Sequence, residues 1–182
     1  MGLFDMFKRK PEPADPTRDL VLSKLKVGYF LDYDLDSFEV TAHHRYDIGD
    51  AGEVEEWALD SGKQTYFLER FEDDDVVWSL ARKIPIGAID GDIRGHIRDH
   101  DDPPGRIVYK DETFYLEDSD AGYFYENCKG SGDEFISWTF VDDSQKKFVT
   151  IEQWDEDEFE AATGEYVEEY QFTNILPGQG SR

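Results

Sequence analysis

One β-rich unit reads twice along this chain. Tyr33, Phe38 and Val40 return in order as Tyr109, Phe114 and Leu116. Trp57 and Leu59 return as Trp138 and Phe140, and Glu69 and Phe71 as Glu152 and Trp154. The offset grows by a few residues on the way, as small loop insertions between matching strands would make it do. A repeat this long signals a duplicated domain half rather than a solenoid of short units. It restricts the chain to folds with two similar halves, and it marks residues present in both copies as candidates for framework.

Within each copy the apolar residues alternate, the period of a half-buried strand. Gly28–Tyr33 and Phe38–Ala42 flank the turn Asp34–Ser37. Val54–Asp60 and Tyr66–Phe71 flank Asp60–Lys63, and Val76–Ile84 follows. The second copy runs through Ile107–Tyr109, Thr113–Leu116, Tyr123–Tyr125, Phe135–Val141 and Lys147–Trp154. Phe159–Ala162 and Tyr166–Phe172 suit a short helix or a strand equally. The expected fold is all-β, two similar antiparallel halves packed as one compact unit, with minor helix content. Residues 1–24 read as an N-terminal tail and spacer, 25–86 as the first half, 87–105 as a linker, 106–176 as the second half and 177–182 as a C-terminal tail. The Gly, Pro and Asp of 87–105 argue against a helix there.

Aromatic residues make up 15% of the chain, enough bulk for a packed core despite a mean hydropathy of −0.69. The net charge is −24. Residues 1–26 hold six basic and four acidic side chains, so the rest of the chain has a surplus of 26 negative charges. Such a body repels phosphates, which excludes direct nucleic-acid binding, and attracts a polycation or a basic protein face. Plain solubility accounts for the charge as well. The lone cysteine, Cys128, cannot form an internal disulfide, and that fits a reducing, cytoplasmic compartment. The sequence leaves the oligomeric state open.

The tail has a small interfacial pattern. Leu3, Phe4 and Phe7 share one helical face, and Lys8, Arg9 and Lys10 follow directly. Apolar side chains in the headgroup region and a basic cluster on anionic lipid would give weak peripheral contact with an inner membrane, or docking on a partner. An ordinary tail is the plainer reading, since a segment this short is marginal as an isolated helix.

The segments LKVGYFLDYDLDSFEVTA, EEWALDSGKQTYFLERF, RIVYKDETFYLED, ISWTFVDDSQKKFVTIEQW and GEYVEEYQFTNILP, in this succession, resemble a bacterial family known as domain of unknown function 4178. The resemblance spans nearly everything after the tail. It implies a β-rich cytoplasmic domain with no assigned catalytic residues. It also implies polyamine-synthesis and membrane-stress genes as common neighbours.

Few residues suggest chemistry. Glu69 and Glu152 hold equivalent positions, and a pseudo-two-fold packing would let them face each other as a proton donor and a base. Placement on the solvent side of each strand is the simpler expectation. Trp57, Trp138 and Trp154 read first as core and second as a shared aromatic groove for a peptide or amphipathic cation. His43 and His44 point to opposite faces of a strand and cannot share a metal. His96 and His100 have a zinc-binding spacing only if their segment is helical. Asp73–Asp75 and Asp155–Glu158 are acidic turns without the ligand spacing of a calcium loop. Lys129 beside Cys128 would lower the thiol's pKa. No cofactor, metal or catalytic residue is expected. The leading function is a non-enzymatic binding or adaptor module. A DNA mimic and a hydrolase-type enzyme using paired carboxylates are the alternatives.

Overall fold

The computed structural model describes residues 20–178. Eleven strands follow in chain order: β1 (Phe30–Tyr33), β2 (Asp36–Asp47), β3 (Glu53–Asp60), β4 (Thr65–Glu72), β5 (Val76–Ile84), β6 (Arg106–Tyr109), β7 (Glu112–Tyr125), β8 (Asp133–Val141), β9 (Lys147–Asp155), β10 (Glu158–Val167) and β11 (Thr173–Leu176). One helix, α1 (Ile93–His100), lies between β5 and β6. The fold is antiparallel β, as the alternation predicts.

All eleven strands belong to one sheet, ordered β11-β1-β2-β3-β4-β5-β10-β9-β8-β7-β6. The runs β1–β5 and β6–β10 pair internally in the same order. They are not two halves laid against each other, because β5 pairs with β10 and makes the sheet continuous. A second junction comes from β2 and β7, through Arg45↔Tyr125, Tyr46↔Phe124 and Asp47↔Tyr123. That seam closes β2-β3-β4-β5-β10-β9-β8-β7 into an eight-stranded barrel. Bulges make the closure possible. The register of β2 shifts between Val40 and Ala42, and that of β7 between Leu116 and Asp118. Such shifts bend a strand. The first part of each long strand pairs with its short neighbour, β1 or β6, and the last part reaches the seam.

The two large apolar cores lie outside the barrel, and a small third cluster, Ala81, Val141 and Phe148, is on the inner face. One face of β3, β4 and β5 presents Trp57, Leu59, Leu68, Trp78 and Leu80, covered by Leu22 and Leu25 from the segment before β1. One face of β8, β9 and β10 presents Trp138, Phe140, Val149, Ile151 and Phe159, covered by Ile86, Ile89, Ile93 and Ile97. The corresponding tryptophans each fasten a cover. Trp57 Nε1 donates to the Leu25 carbonyl at 3.2 Å, and Trp138 Nε1 donates to Asp102 Oδ1 at 3.2 Å. Side chains alternate across a strand, so the opposite faces line the barrel interior.

Residues 87–105 are therefore a cover, not a solvated linker. The helix forms there despite the glycines because Asp92 caps it, accepting from the Gly95 N–H at 3.0 Å, and Asp101 ends it in the left-handed region at φ 63°. Ile93 and Ile97 stand one turn apart and both are buried, which supplies the packing that propensity lacks. Phe159–Ala162 resolves as strand, within β10. Leu3, Phe4, Phe7, Lys8, Arg9 and Lys10 lie outside the described residues, as do residues 179–182.

Candidate functional site

Polar side chains ring the interior in two ladders. Register places His44, Glu56, Glu69 and Ser79 directly opposite one another across β2, β3, β4 and β5. Asp120, Ser137, Glu152 and Glu160 are opposite one another across β7, β8, β9 and β10. Cross-strand neighbours have Cβ atoms about 5 Å apart, and like charges there repel. Two glutamate pairs, Glu56–Glu69 and Glu152–Glu160, sit in that relation.

Glu56, Glu69 and Glu152 line a cavity of about 320 Å³ whose walls are the rings of Phe67, Phe124, Phe148 and Trp154. An adjoining space of about 250 Å³ shares Tyr46, Glu69, Thr150 and Glu152 and extends to Asp118 and Asp120. Burial pushes the Glu56 carboxyl well above its usual range, and the nearby Glu69 and Glu152 add to it. Burial also raises Glu69, against a hydrogen bond donated by Ser79 Oγ at 2.8 Å. Glu152 is pushed up to about 7 by burial, then by Glu69 and Glu160. Burial lowers the pKa of His44. Its Nδ1 accepts the Asn127 backbone N–H at 3.0 Å.

Glu56 is 6% exposed. Trp154 Nε1 is buried without a hydrogen-bond partner. A base that lines this cavity is Lys83, whose Nζ lies 2.5 Å from Glu160 Oε2 and 5.5 Å from the centre of the Phe67 ring. At the cavity's exposed edge Lys83 thus seats an ammonium group between a carboxylate and an aromatic face.

The sequence-predicted residues divide. Glu69 and Glu152 do face a common interior, so the expected solvent-side placement is corrected. The barrel closes over what would be the exposed face of an open sheet. Glu69's direct opposite is Glu56, however, not Glu152. The shared groove of three tryptophans does not form. Trp57 and Trp138 are buried in separate outer cores, and only Trp154 reaches the cavity. There it lies 5.4 Å from Phe124 and 5.6 Å from Phe135, centroid to centroid. His43 stacks on Trp57 at 4.9 Å on the outer side while His44 faces inward, the split that alternation predicts. His96 and His100 are on a helix after all, their rings stacked at 4.3 Å. No group of three His, Cys, Asp or Glu able to hold a metal occurs among the described residues. The Cys128 thiol is raised by burial, not lowered, and the effect of Arg45 does not reverse this.

Glu56 and Tyr46 were not singled out in the sequence, and His44 was weighed there only as a metal ligand and set aside. A signal existed for Glu56. Val54 and Ala58 share its face, opposite Trp57 and Leu59, so β3 carries apolar residues on both faces and belongs between two layers.

The fold and interior define a closed antiparallel barrel with an acidic, aromatic-walled lumen and both large cores on its outside. The chain belongs to the family described as domain of unknown function (DUF4178), whose model matches residues 26–169. An uncharacterized protein of Aquifex aeolicus (strain VF5) is 27% identical over 156 residues, covering 86% of this chain and 85% of that protein. No solved structure matches the chain. Among the described residues, no helix is long and apolar enough to cross a membrane.

Proposed function

We propose that the protein is a non-enzymatic binding module whose barrel interior receives an organic cation bearing an ammonium group. The observation that carries this reading is Glu56: a buried carboxyl directly opposite Glu69 and close enough to feel Glu152, inside aromatic walls. Burying a carboxyl costs several kcal/mol unless it is paired or neutralised, and an entering ammonium pairs it. Lys83 supports the chemistry, since it already seats an ammonium against Glu160 and the Phe67 face. Rings in that position add cation–π attraction. The charge of −24 raises the local concentration of cations at the rim acids Glu126, Asp133 and Glu158. A cytoplasmic place beside a polyamine or membrane-stress system is the corresponding expectation from the family resemblance.

Thermal-shift titrations with spermidine, butylammonium, Ca²⁺ and Zn²⁺ at low and moderate salt test the reading. Saturable stabilisation by an ammonium probe that survives moderate salt and disappears in Glu56→Gln is the expected result. Shifts that fade with salt, or are equal in the variant, would reduce the effect to general screening. The Glu56–Glu69 pair also favours a second reading, hydrolase-type acid–base chemistry. That reading requires turnover that Glu69→Gln abolishes.

A further inference from the structure

The interior holds more carboxyl groups than cations to match them. Glu56 and Glu69 are directly opposite each other on adjacent strands. On the flank of Glu56, His44 of β2 has its Nδ1 occupied by the Asn127 N–H. On the flank of Glu69, Ser79 of β5 donates a neutral hydrogen bond. Across the lumen β9 contributes Glu152 and β10 contributes Glu160, whose charges act on each other, and β10 adds Tyr166, whose hydroxyl burial holds in the neutral form. Tyr46 of β2 faces the pair as well, and the rim adds Glu126, Asp133 and Glu158. From β7, Asp118 and Asp120 line the adjoining space. Against these stands Lys83 of β5, already bound to Glu160.

Two opposed carboxylates so enclosed cannot both be ionised without a counter-charge. Glu56, nine-tenths buried and directly opposite Glu69, is where a counter-charge is most needed. We propose that the Glu56–Glu69 pair makes the cavity a proton-for-cation exchanger, in which an entering ammonium takes the place of a proton that the two carboxyls share. The inference rests on the ammonium-binding reading above and adds its control by pH. In the exchange, the O–H bond of the pair breaks and its electrons stay on the carboxylate. The proton leaves to bulk water, and the ligand's N–H groups donate to the two carboxylates. For a singly charged ligand such as butylammonium, one positive charge enters and one leaves. With that ligand the lumen's total charge is the same empty or filled.

The consequence is binding that strengthens as pH rises. At low pH the pair holds its proton firmly and competes with the ligand. Above the upper titration step of the pair no proton remains to be displaced, and affinity levels off. Isothermal titration calorimetry with butylammonium chloride and with spermidine, at one pH in buffers of differing ionisation enthalpy, counts the protons. Release of about one proton per bound probe near neutral pH is expected, with affinity rising up to about tenfold per pH unit below the plateau. In Glu56→Gln, whose melting curve reports that it folds, release falls toward zero and affinity loses its pH dependence. Binding heat that does not vary with buffer overturns the exchange and leaves the cation site standing. Absence of binding by either probe removes both.

Discussion

Glu152→Gln should stabilise the protein, and only where Glu152 would be charged. In the fold this carboxyl is pushed up to about 7, against an ordinary value of 4.5. A raised folded-state pKa means that the native protein binds the proton more tightly than the unfolded chain. Stability then falls as pH climbs from the unfolded to the folded value, by about 1.4 kcal/mol per pH unit. The full interval corresponds to roughly 3 kcal/mol. Glu152 keeps some solvent contact, which reduces the expectation to about 2 kcal/mol. Below the ordinary carboxylate range both forms are neutral, so the variant and wild type should melt together. Above a pH of about 7 the variant should melt about 4–8 °C higher, given the size of the chain. Thermal or urea melts across that pH range measure the difference directly. Glutamine preserves the shape and an acceptor for Tyr46, which hydrogen-bonds Glu152. An advantage that does not grow with pH, or a variant less stable throughout, would refute the account of the interior as a strained acidic cluster. Pairing the variant with Glu69→Gln should give less than additive gains, because each relieves the other.

Gly122→Ala should open the seam. A Cβ there would run into the Asp47 carbonyl, at a cost of about 1–3 kcal/mol, and hydrogen exchange should quicken for Arg45, Asp47, Tyr123 and Tyr125 before the outer cores respond. Ile97→Ala should cost about 2–5 kcal/mol in urea denaturation, because α1 covers a core; a loss below about 0.5 kcal/mol, the size of a surface substitution, would mean that the helix is only a linker. Deleting residues 1–10 should reduce co-sedimentation with anionic liposomes, and unchanged binding would dismiss the tail as an anchor.

Strand-by-strand structure was legible because alternation is a local property. Trp57 and Leu59 announce which face of β3 meets the outer core, and Phe38 and Val40 do the same for β2. What could not be read locally was closure. The seam joins Arg45 to Tyr125 and Asp47 to Tyr123, pairs far apart in sequence with no turn between them to mark the register. Without closure the face bearing Glu56 and Glu69 reads as solvent-exposed, and the polar residues on it look ordinary. The same omission split β7. Glu117–Asp120 has turn composition, yet it stays extended because β8 pairs with it through Asp118↔Thr139 to Asp120↔Ser137. In α1, Gly95 and the prolines that follow outweighed two isoleucines whose spacing carries the packing. Equivalence between Glu69 and Glu152 was visible in sequence, but the partner that matters to Glu69 lies on the neighbouring strand.

The shortness of the β2–β7 ladder has a consequence for how the chain assembles. Every other junction within the barrel rests on at least six residue pairs, whereas this one has three. Each five-strand run is built from neighbouring hairpins and can form early, while the seam must bring together distant segments at a high entropic cost. Closure should then be the last event in folding and the first to reverse. Before it, the acidic faces of both runs are open to water and indifferent to one another; after it, they are committed to a common interior. The carboxyls oppose that final step most, because closure is what takes them out of water, so acid should speed closure more than it speeds formation of the outer cores.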